Sequence, residues 1–325
     1  MAAIELERVS KRFGDIVAVD DVELTIQDGE IFGFLGPNGA GKSTTINMLL
    51  GFVRPSAGTI RVLGMDAQAE TVAVRRRTGV LPEGFGVYNR LTGRQHVDLA
   101  IESMDASDDP AAILERVGLE DDINRKVGGY SKGMRQRLAL GMALVGDPDL
   151  LILDEPSTGL DPAGAKEMRQ IVREEADRGA TVFFSSHVLG QVEAVCDRVG
   201  IMRAGQLIAE DSIDGLRSAV GGDERLTIEV ADVSGDVLDQ LRSLEGVSRV
   251  TGSEGTITVV GTPGAKTAVI QELQDAGARV NDFQTESASL EEVFLAYTED
   301  GQASAAASIH EGPDETTSAE SGVNE

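Results

Sequence analysis

The sequence predicts an α/β protein with a largely parallel sheet, followed by a smaller α+β domain. Three observations support this. Between residues 31 and 210, short apolar runs of strand type alternate with helical segments, as in parallel sheets covered by helices. Before that stretch, short alternating segments at residues 4–26 indicate a hairpin-like strand meander. After residue 220 the pattern restarts in the order β-α-β-β-α-β, which is typical of a ferredoxin-like module.

Hydrophobic patterning places the elements of the first domain after the meander. Strands are expected at residues 31–35, 59–63, 78–82, 150–153, 181–184, 198–202 and 206–210. A mostly helical stretch is expected from about Thr92 to Val145. Helices are expected at residues 43–50, 110–117, 132–144, 162–178 and 190–196.

The second domain is expected to end in an amphipathic helix and an acidic tail. Its strands are predicted at residues 225–230, 247–251, 256–260 and 278–284, and its helices at 235–244 and 266–276. Ser289 to Tyr297 is predicted to close this domain as a helix. Beyond Glu299 the chain has no Lys or Arg and few apolar side chains, so we expect disorder. The predicted divisions are a first domain at 1–218, a second at 223–298 and a tail at 299–325.

Composition indicates a globular protein that stays in the cytoplasm unless another protein tethers it. Hydrophobic residues make up 41% of the 325 residues and charged residues 26%. No apolar run approaches the roughly 18 to 20 residues that cross a bilayer, and the N-terminus has no signal-peptide pattern. Cys196 is the single cysteine, which excludes an internal disulfide and a cysteine-rich metal site.

The net charge of −26 argues against general nucleic-acid binding, because phosphate contacts need clustered Lys and Arg. Only six of the 29 basic residues are Lys, and aromatic residues make up 4%. This composition resembles that of proteins from salt-loving organisms, whose acidic surfaces are screened by salt. An acidic protein of an ordinary bacterium is the alternative.

Gly36 to Ser43, with the sequence GPNGAGKS, predicts a phosphate-binding loop. The loop joins a predicted strand to a predicted helix, so its backbone N–H groups and the helix dipole converge on one small volume. Lys42 is expected to reach the terminal phosphates of a nucleotide, and the Ser43 hydroxyl to ligate Mg²⁺. A plain glycine-rich turn is the alternative, which the strand and helix context disfavours. The residues expected to contact the nucleotide here are Gly36, Pro37, Asn38, Gly39, Ala40, Gly41, Lys42, Ser43 and Thr44.

Two carboxylates end the buried strand predicted at residues 150–153. Asp154 and Glu155 follow it directly, at the edge of the sheet where ligands of open α/β proteins gather. We expect this strand to lie next to the strand that leads into the phosphate loop. Asp154 would then hold Mg²⁺, and Glu155 would polarise the attacking water as general base.

Further motifs carry a family resemblance across residues 4 to about 215. The segment Tyr130 to Arg137, YSKGMRQR, resembles the signature motif of ABC transporter ATPases, although Lys132 and Met134 depart from it. Residues 154–161, DEPSTGLD, resemble the Walker B segment running into the D-loop. His187 is similar to the switch histidine of the family. Phe13 stands where the family has the aromatic that stacks on adenine, and Glu83 stands where it usually has Gln.

The resemblance implies an ATPase that uses ATP and Mg²⁺ and works as a head-to-tail dimer. Ser131 and Gly133 of one subunit would complete the site of the other, with Asp161 in the adjoining D-loop. The implied catalytic residues are Glu155, His187 and Lys42. The implied metal ligands are Ser43, Glu83 and Asp154.

The resemblance also implies a role in transport, and a few residues suggest one branch of the family. Lys132, Met134 and Glu83, with the closing sequence SASLEEVFL at residues 287–295, look like the exporter-type and multidrug-resistance branch. A separate membrane permease is implied, with this chain on the cytoplasmic face of the membrane as a homodimer or a heterodimer. One alternative is a non-transport ATPase of the same superfamily, in DNA repair, chromosome organisation or translation. Another is a regulatory module with degenerate catalysis.

Overall fold

The protein is built on a six-stranded sheet. The computed structural model describes residues 1–219, 224–231, 235–253, 255–262, 264–286, 289–291, 294–295 and 297. The sheet has the order β10-β9-β3-β8-β7-β6. All neighbouring pairs are parallel except β9 with β10, which is an antiparallel hairpin. The strands are β3 (Ile31–Leu35), β6 (Thr78–Leu81), β7 (Leu150–Asp154), β8 (Thr181–Ser186), β9 (Arg198–Arg203) and β10 (Gln206–Ser212).

An antiparallel sheet of four strands lies beside this central sheet, in the order β2-β1-β4-β5. Its strands are β1 (Ala2–Phe13), β2 (Ile16–Gln27), β4 (Ala57–Val62) and β5 (Met65–Asp66). Buried and exposed residues alternate along much of β2 and β4, as expected for a sheet with one face on a core. The predicted hairpin-like meander is therefore confirmed.

Within the described residues the first domain contains eight α-helices, and five of them begin at a residue that caps the helix. In each of the five, the side chain of the capping residue accepts a backbone N–H of the first turn, which satisfies donors that the helix leaves unpaired. The capping residues are Thr92, Asp109, Ser131, Asp161 and Ser212. The helices are α1 (Lys42–Leu49), α2 (Thr71–Arg76), α3 (Gly93–Met104), α4 (Pro110–Arg116), α5 (Lys132–Ala143), α6 (Pro162–Asp177), α7 (Leu189–Glu193) and α8 (Ile213–Ala219). α2 and α8 are absent from the sequence prediction, and α7 is shorter than predicted.

The central sheet has an apolar core on each face. Along β3, Ile31 and Leu35 belong to one core, whereas Phe32 and Phe34 belong to the other. Each of these four side chains is at most 5% exposed. Burial on both faces explains why these strands appear in the sequence as continuous apolar runs.

The second domain has the predicted ferredoxin-like arrangement. Its four strands are antiparallel neighbours in the order β12-β13-β11-β14, and a separate apolar cluster fills the space between sheet and helices. The elements are β11 (Glu224–Ala231), α9 (Gly235–Ser243), β12 (Val247–Ser253), β13 (Thr256–Gly261), α10 (Ala265–Asp275) and β14 (Arg279–Glu286).

Two sequence expectations need correction. The strand β7 does not lie beside β3, because β8 pairs with both and separates them. Leu290, in the segment predicted to close the second domain, does not belong to that domain's apolar cluster: it is fully buried in the core of the first, with Phe294 and Tyr297 packed against the same core. An apolar stripe at helical spacing shows that a segment packs, but not on what it packs.

The tail at 299–325 lies outside the described residues.

Within the described part of the chain, no helix is both long enough and apolar enough to span a membrane.

Candidate functional site

The loop between β3 and α1 has the conformation expected of a phosphate cradle. Gly41 caps α1 with a φ of 111°, a conformation that side chains disfavour. A Cβ at Gly41 would also lie 2.5 Å from the Ala18 carbonyl oxygen, so the loop can curl here only with glycine. Lys42 is 7% exposed, and its Nζ donates to the Gly36 carbonyl oxygen at 2.6 Å. The ammonium group therefore lies over the loop, where phosphates would bind.

A cavity of about 390 Å³ brings the predicted loop and the predicted carboxylates together. Lys42, Ser43, Glu83, Asp154 and Glu155 all line it. They come from α1, from the chain after β6 and from the end of β7. The remaining lining residues are Ile16, Val17, Ala18, Asn38, Gly39, Gly41 and Thr44.

The buried carboxylates at the end of β7 are held by the neighbouring strand β8. The Ser185 hydroxyl donates to Oδ1 of Asp154. The Glu155 N–H donates to the Ser185 carbonyl oxygen at 3.1 Å and lies 3.3 Å from the Ser185 hydroxyl oxygen. Asp154 is 7% exposed and Glu155 6%. The intervening strand β8, whose position between β3 and β7 was not predicted from the sequence, therefore supports both carboxylates.

His187 joins this group from the end of the same strand. Its Nδ1 lies 2.7 Å from Oε2 of Glu155, and its side chain is 55% exposed. A histidine that is paired on one side with a buried carboxylate and is open on the other can contact a bound group.

A second cavity, of about 420 Å³, contains the residues of the signature-like segment. Ser131, Gly133 and Asp161 line it, together with Lys132 and Gly159. Ser131 caps α5 and Asp161 caps α6, so two helix N-termini point their positive ends toward this region. The two cavities have no lining residue in common.

The signature-like segment is tied to the chain that follows Glu155. Nε2 of Gln136 donates to the Pro156 carbonyl oxygen at 2.7 Å. The Lys132 side chain covers Gly159, where a Cβ would collide with it. Tyr130 is anchored through its hydroxyl, which donates to the Asp122 carbonyl oxygen at 2.7 Å, and burial raises the pKa of Tyr130. A shift of α5 would therefore be transmitted to the D-loop.

Phe13 lies at the hairpin end of β1, where it pairs with Ile16. Ile16 lines the first cavity, whereas Phe13 does not. The Phe13 side chain is 48% exposed, with Nζ of Lys11 4.8 Å from the ring centroid. The aromatic ring is thus at the rim of the cavity rather than in its wall.

Sequence reasoning missed Ser185 and Gln136 as parts of the site. Ser185 carries a weak signal, because two serines interrupt the apolar strand β8 immediately before His187. A buried serine in such a strand needs a hydrogen-bond partner. Gln136 lies in the segment that resembles the signature motif, but nothing in the sequence indicates its hydrogen bond to the Pro156 carbonyl oxygen.

An apolar groove of about 620 Å³ adjoins the first cavity, and Ser43 and Asp154 line both. Exposed Phe52, Tyr88 and Leu99 border it. His96 anchors one wall, because its Nε2 accepts the Tyr88 N–H at 3.0 Å. The exposed apolar rim marks a surface that could receive another protein.

Comparisons with known proteins show which family this chain belongs to. Residues 19–158 match the model of the ABC transporter family, and residues 212–298 match the C-terminal domain of DrrA1-3-like ATP-binding proteins. The daunorubicin resistance ATP-binding protein DrrA3 of Streptomyces coeruleorubidus is 36% identical over 305 residues, covering 92% of this chain and 96% of the relative. The chain belongs to the ABC transporter ATP-binding proteins.

Other members of the family agree with this assignment. The bacitracin transport ATP-binding protein BcrA of Bacillus licheniformis is 40% identical over 220 residues, covering 66% of this chain and 71% of BcrA. A solved ATP-binding subunit of an ABC transporter is 29% identical, with a TM-score of 0.63, covering 67% of this chain and 93% of that subunit. The chain is thus an ATP-hydrolysing subunit of an ABC transporter, and the superfamily resemblance is confirmed.

Proposed function

We propose that this ABC ATPase powers the export of an antibiotic-like or drug-like molecule through a separate permease. The cavity that brings Lys42, Ser43, Asp154 and Glu155 together carries the ATPase part of this proposal. Export of such molecules is supported by the relatives, which are named for daunorubicin resistance and bacitracin transport. We propose the predicted boundaries, 1–218 and 223–298, for the ATPase and accessory domains, with the end of the accessory domain packed on the ATPase core around Leu290.

The residues that line the first cavity suit ATP together with Mg²⁺. Ser43, Glu83 and Asp154 offer oxygen atoms, which Mg²⁺ prefers, and ATP phosphates would supply further oxygens. A bound Mg²⁺ would neutralise charge on the phosphates. Lys42 would exchange its bond to the Gly36 carbonyl oxygen for a phosphate oxygen. Phe13, at the rim, is proposed to stack on adenine.

Glu155 is proposed as the general base and His187 as its partner. Glu155 is buried, so its carboxylate is held in one position, while His187 is half exposed and lies within hydrogen-bond distance of it. Glu155 would accept a proton from the attacking water, and His187 would hold the γ-phosphate and order that water. The full set of proposed catalytic residues is Glu155, His187 and Lys42.

The second cavity is proposed to complete the site of another subunit. Ser131 and Gly133 lie in a cavity apart from Lys42, so they cannot contact a phosphate that the same subunit's loop encloses. A head-to-tail dimer would bring the α5 N-terminus to the partner's γ-phosphate, with Asp161 beside it. A homodimer and a heterodimer with a related subunit both fit this arrangement.

The apolar groove is proposed as the docking site for the permease. The groove shares Ser43 and Asp154 with the nucleotide cavity. A conformational change on ATP binding would therefore be passed to a docked segment of the permease through the chain around Glu83. This placement would hold the subunit against the cytoplasmic face of the membrane.

The permease of this chain is expected to be encoded by a neighbouring gene and to have about six membrane helices. Reconstituting the two proteins in liposomes should stimulate ATP hydrolysis. Leu99→Asp, at the groove, should abolish that stimulation but keep the basal rate. Val72→Asp is the matched control, because Val72 is 69% exposed on α2 and does not line the groove. Equal stimulation of both variants would contradict docking in the groove.

A further inference from the structure

Ser185, two residues before His187, is a buried polar residue at the end of the apolar strand β8. Ser185 is fully buried, and it pairs with Asp154 in the register of β7 and β8. Its neighbours Val182, Phe183 and Phe184 on the same strand are fully buried and apolar. A hydroxyl in such surroundings is unfavourable unless it is hydrogen-bonded. The bonds that Ser185 makes therefore explain its presence.

The hydroxyl of Ser185 contacts both acidic residues. A serine hydroxyl has one proton to donate, and the Ser185 hydroxyl donates it to Oδ1 of Asp154. The hydroxyl oxygen is left to accept, and the Glu155 N–H lies 3.3 Å from it. Glu155 has a φ of 51°, which is uncommon for a residue with a side chain. One hydroxyl thus orients the Asp154 carboxylate and supports the unusual Glu155 backbone.

We propose that Ser185 is a positioning residue for the metal and nucleotide site. Because Oδ1 of Asp154 accepts the Ser185 hydroxyl, rotation of the carboxylate is restrained and Oδ2 is left for a cation. Partners of this kind tune the affinity of a site for its metal. The inference rests on the proposed role of Asp154 as the Mg²⁺ ligand.

The test measures metal affinity without turnover. Mn²⁺ serves as the probe, and its binding to full-length protein saturated with the analogue AMP-PNP is followed by electron paramagnetic resonance. Ser185→Ala should weaken Mn²⁺ binding by about 10-fold or more. Binding of AMP-PNP in EDTA, measured by calorimetry, should stay unchanged, because the phosphate loop is intact. Ser185→Thr, which keeps the hydroxyl, should recover most of the Mn²⁺ affinity.

Ser186→Ala is the matched control. Ser186 is equally buried on the same strand, but its hydroxyl accepts the Val188 N–H at 3.0 Å and supports a turn. This variant should bind Mn²⁺ as the wild type does. Should Ser185→Ala fail to fold, Ser185→Cys, with its weaker donor, should fold and show intermediate Mn²⁺ affinity.

The Asp154→Asn variant distinguishes a failure of the role proposed for Ser185 from a failure of the role proposed for Asp154. If Asp154→Asn loses Mn²⁺ binding while Ser185→Ala binds Mn²⁺ with wild-type affinity, only the role of Ser185 is overturned. The same conclusion follows from wild-type affinity in Ser185→Cys, if Ser185→Ala does not fold. Wild-type affinity in Asp154→Asn would overturn the assignment of Asp154 itself. Equal weakening of Mn²⁺ binding in Ser185→Ala and Ser186→Ala would show a structural effect of the strand and would also overturn the inference.

Discussion

Nδ1 of His187 lies 2.7 Å from Oε2 of Glu155, which joins the end of β8 to the end of β7. The contact exists because β8 lies between β3 and β7 and carries His187 beyond the sheet edge at which Glu155 begins the D-loop. At this distance an N–H group at Nδ1 donates to the carboxylate oxygen. The candidate base and its partner are therefore brought together within one subunit.

Ser131 is expected to matter for ATP hydrolysis beyond its role as a helix cap. Ser131→Ala removes a cap from α5, and Thr92→Ala removes one from α3, so each should lower the free energy of unfolding by about 1 kcal/mol. Ser131→Ala alone should also lower ATPase activity by about 10-fold or more, through loss of a phosphate contact in the partner's site. Denaturant unfolding and phosphate release measure the two effects. Equal ATPase rates in the two variants would contradict the half-site assignment.

Glu83 is expected to function through its oxygen rather than its charge. Three carboxylates, those of Glu83, Asp154 and Glu155, line one cavity with anionic ATP. Glu83→Gln keeps an oxygen and removes a repulsion, so the KM for Mg-ATP should fall by about 2- to 5-fold while kcat is retained. Glu83→Ala removes the oxygen and should lower kcat. Steady-state kinetics distinguish these outcomes, and an inactive Glu83→Gln would show that the charge is required.

Leu290 is expected to stabilise the ATPase domain although it follows the second domain in sequence. The side chain is fully buried in the first domain's core. Leu290→Ala should therefore lower the free energy of unfolding by about 2–5 kcal/mol. Leu295→Ala is the control, since Leu295 is 44% exposed. This variant should change the free energy of unfolding by less than about 1 kcal/mol. Thermal unfolding monitored by circular dichroism compares the two, and similar melting temperatures would contradict the packing of Leu290.

Local features of this protein could be predicted from its sequence. The loop at Gly36 to Ser43 depends on glycine positions and on one strand and one helix, so its geometry is encoded by neighbours in the chain. The caps of α5 and α6 are likewise local, because Ser131 and Asp161 bond within three residues. The order of elements in the second domain was also predictable from alternation and spacing.

The missed features depend on contacts between distant parts of the chain. The order β3-β8-β7 depends on the pairing of β3 with β8, two strands more than 100 residues apart in the chain, which hydrophobic periodicity does not encode. The same holds for Ser185, whose partner Asp154 is 31 residues earlier, and for Leu290, whose apolar stripe could serve either domain. The groove bordered by Phe52, Tyr88 and Leu99 is formed by five separate stretches of the chain, at residues 43–52, 75–88, 96–104, 139–145 and 154, so no single stretch of sequence indicates it.

The Glu155→Gln variant tests the central claim most directly, namely that each subunit holds half of a shared ATP site. With Mg-ATP, its hydrolysis should fall by about 100-fold or more, while ATP binding is retained. On size-exclusion chromatography the 34.3 kDa chain should then elute as a stable dimer, and it should return to a monomer when ATP is removed. A wild-type rate of hydrolysis would contradict the role of Glu155, and a monomer with ATP bound would contradict an ATP site shared between two copies of this chain.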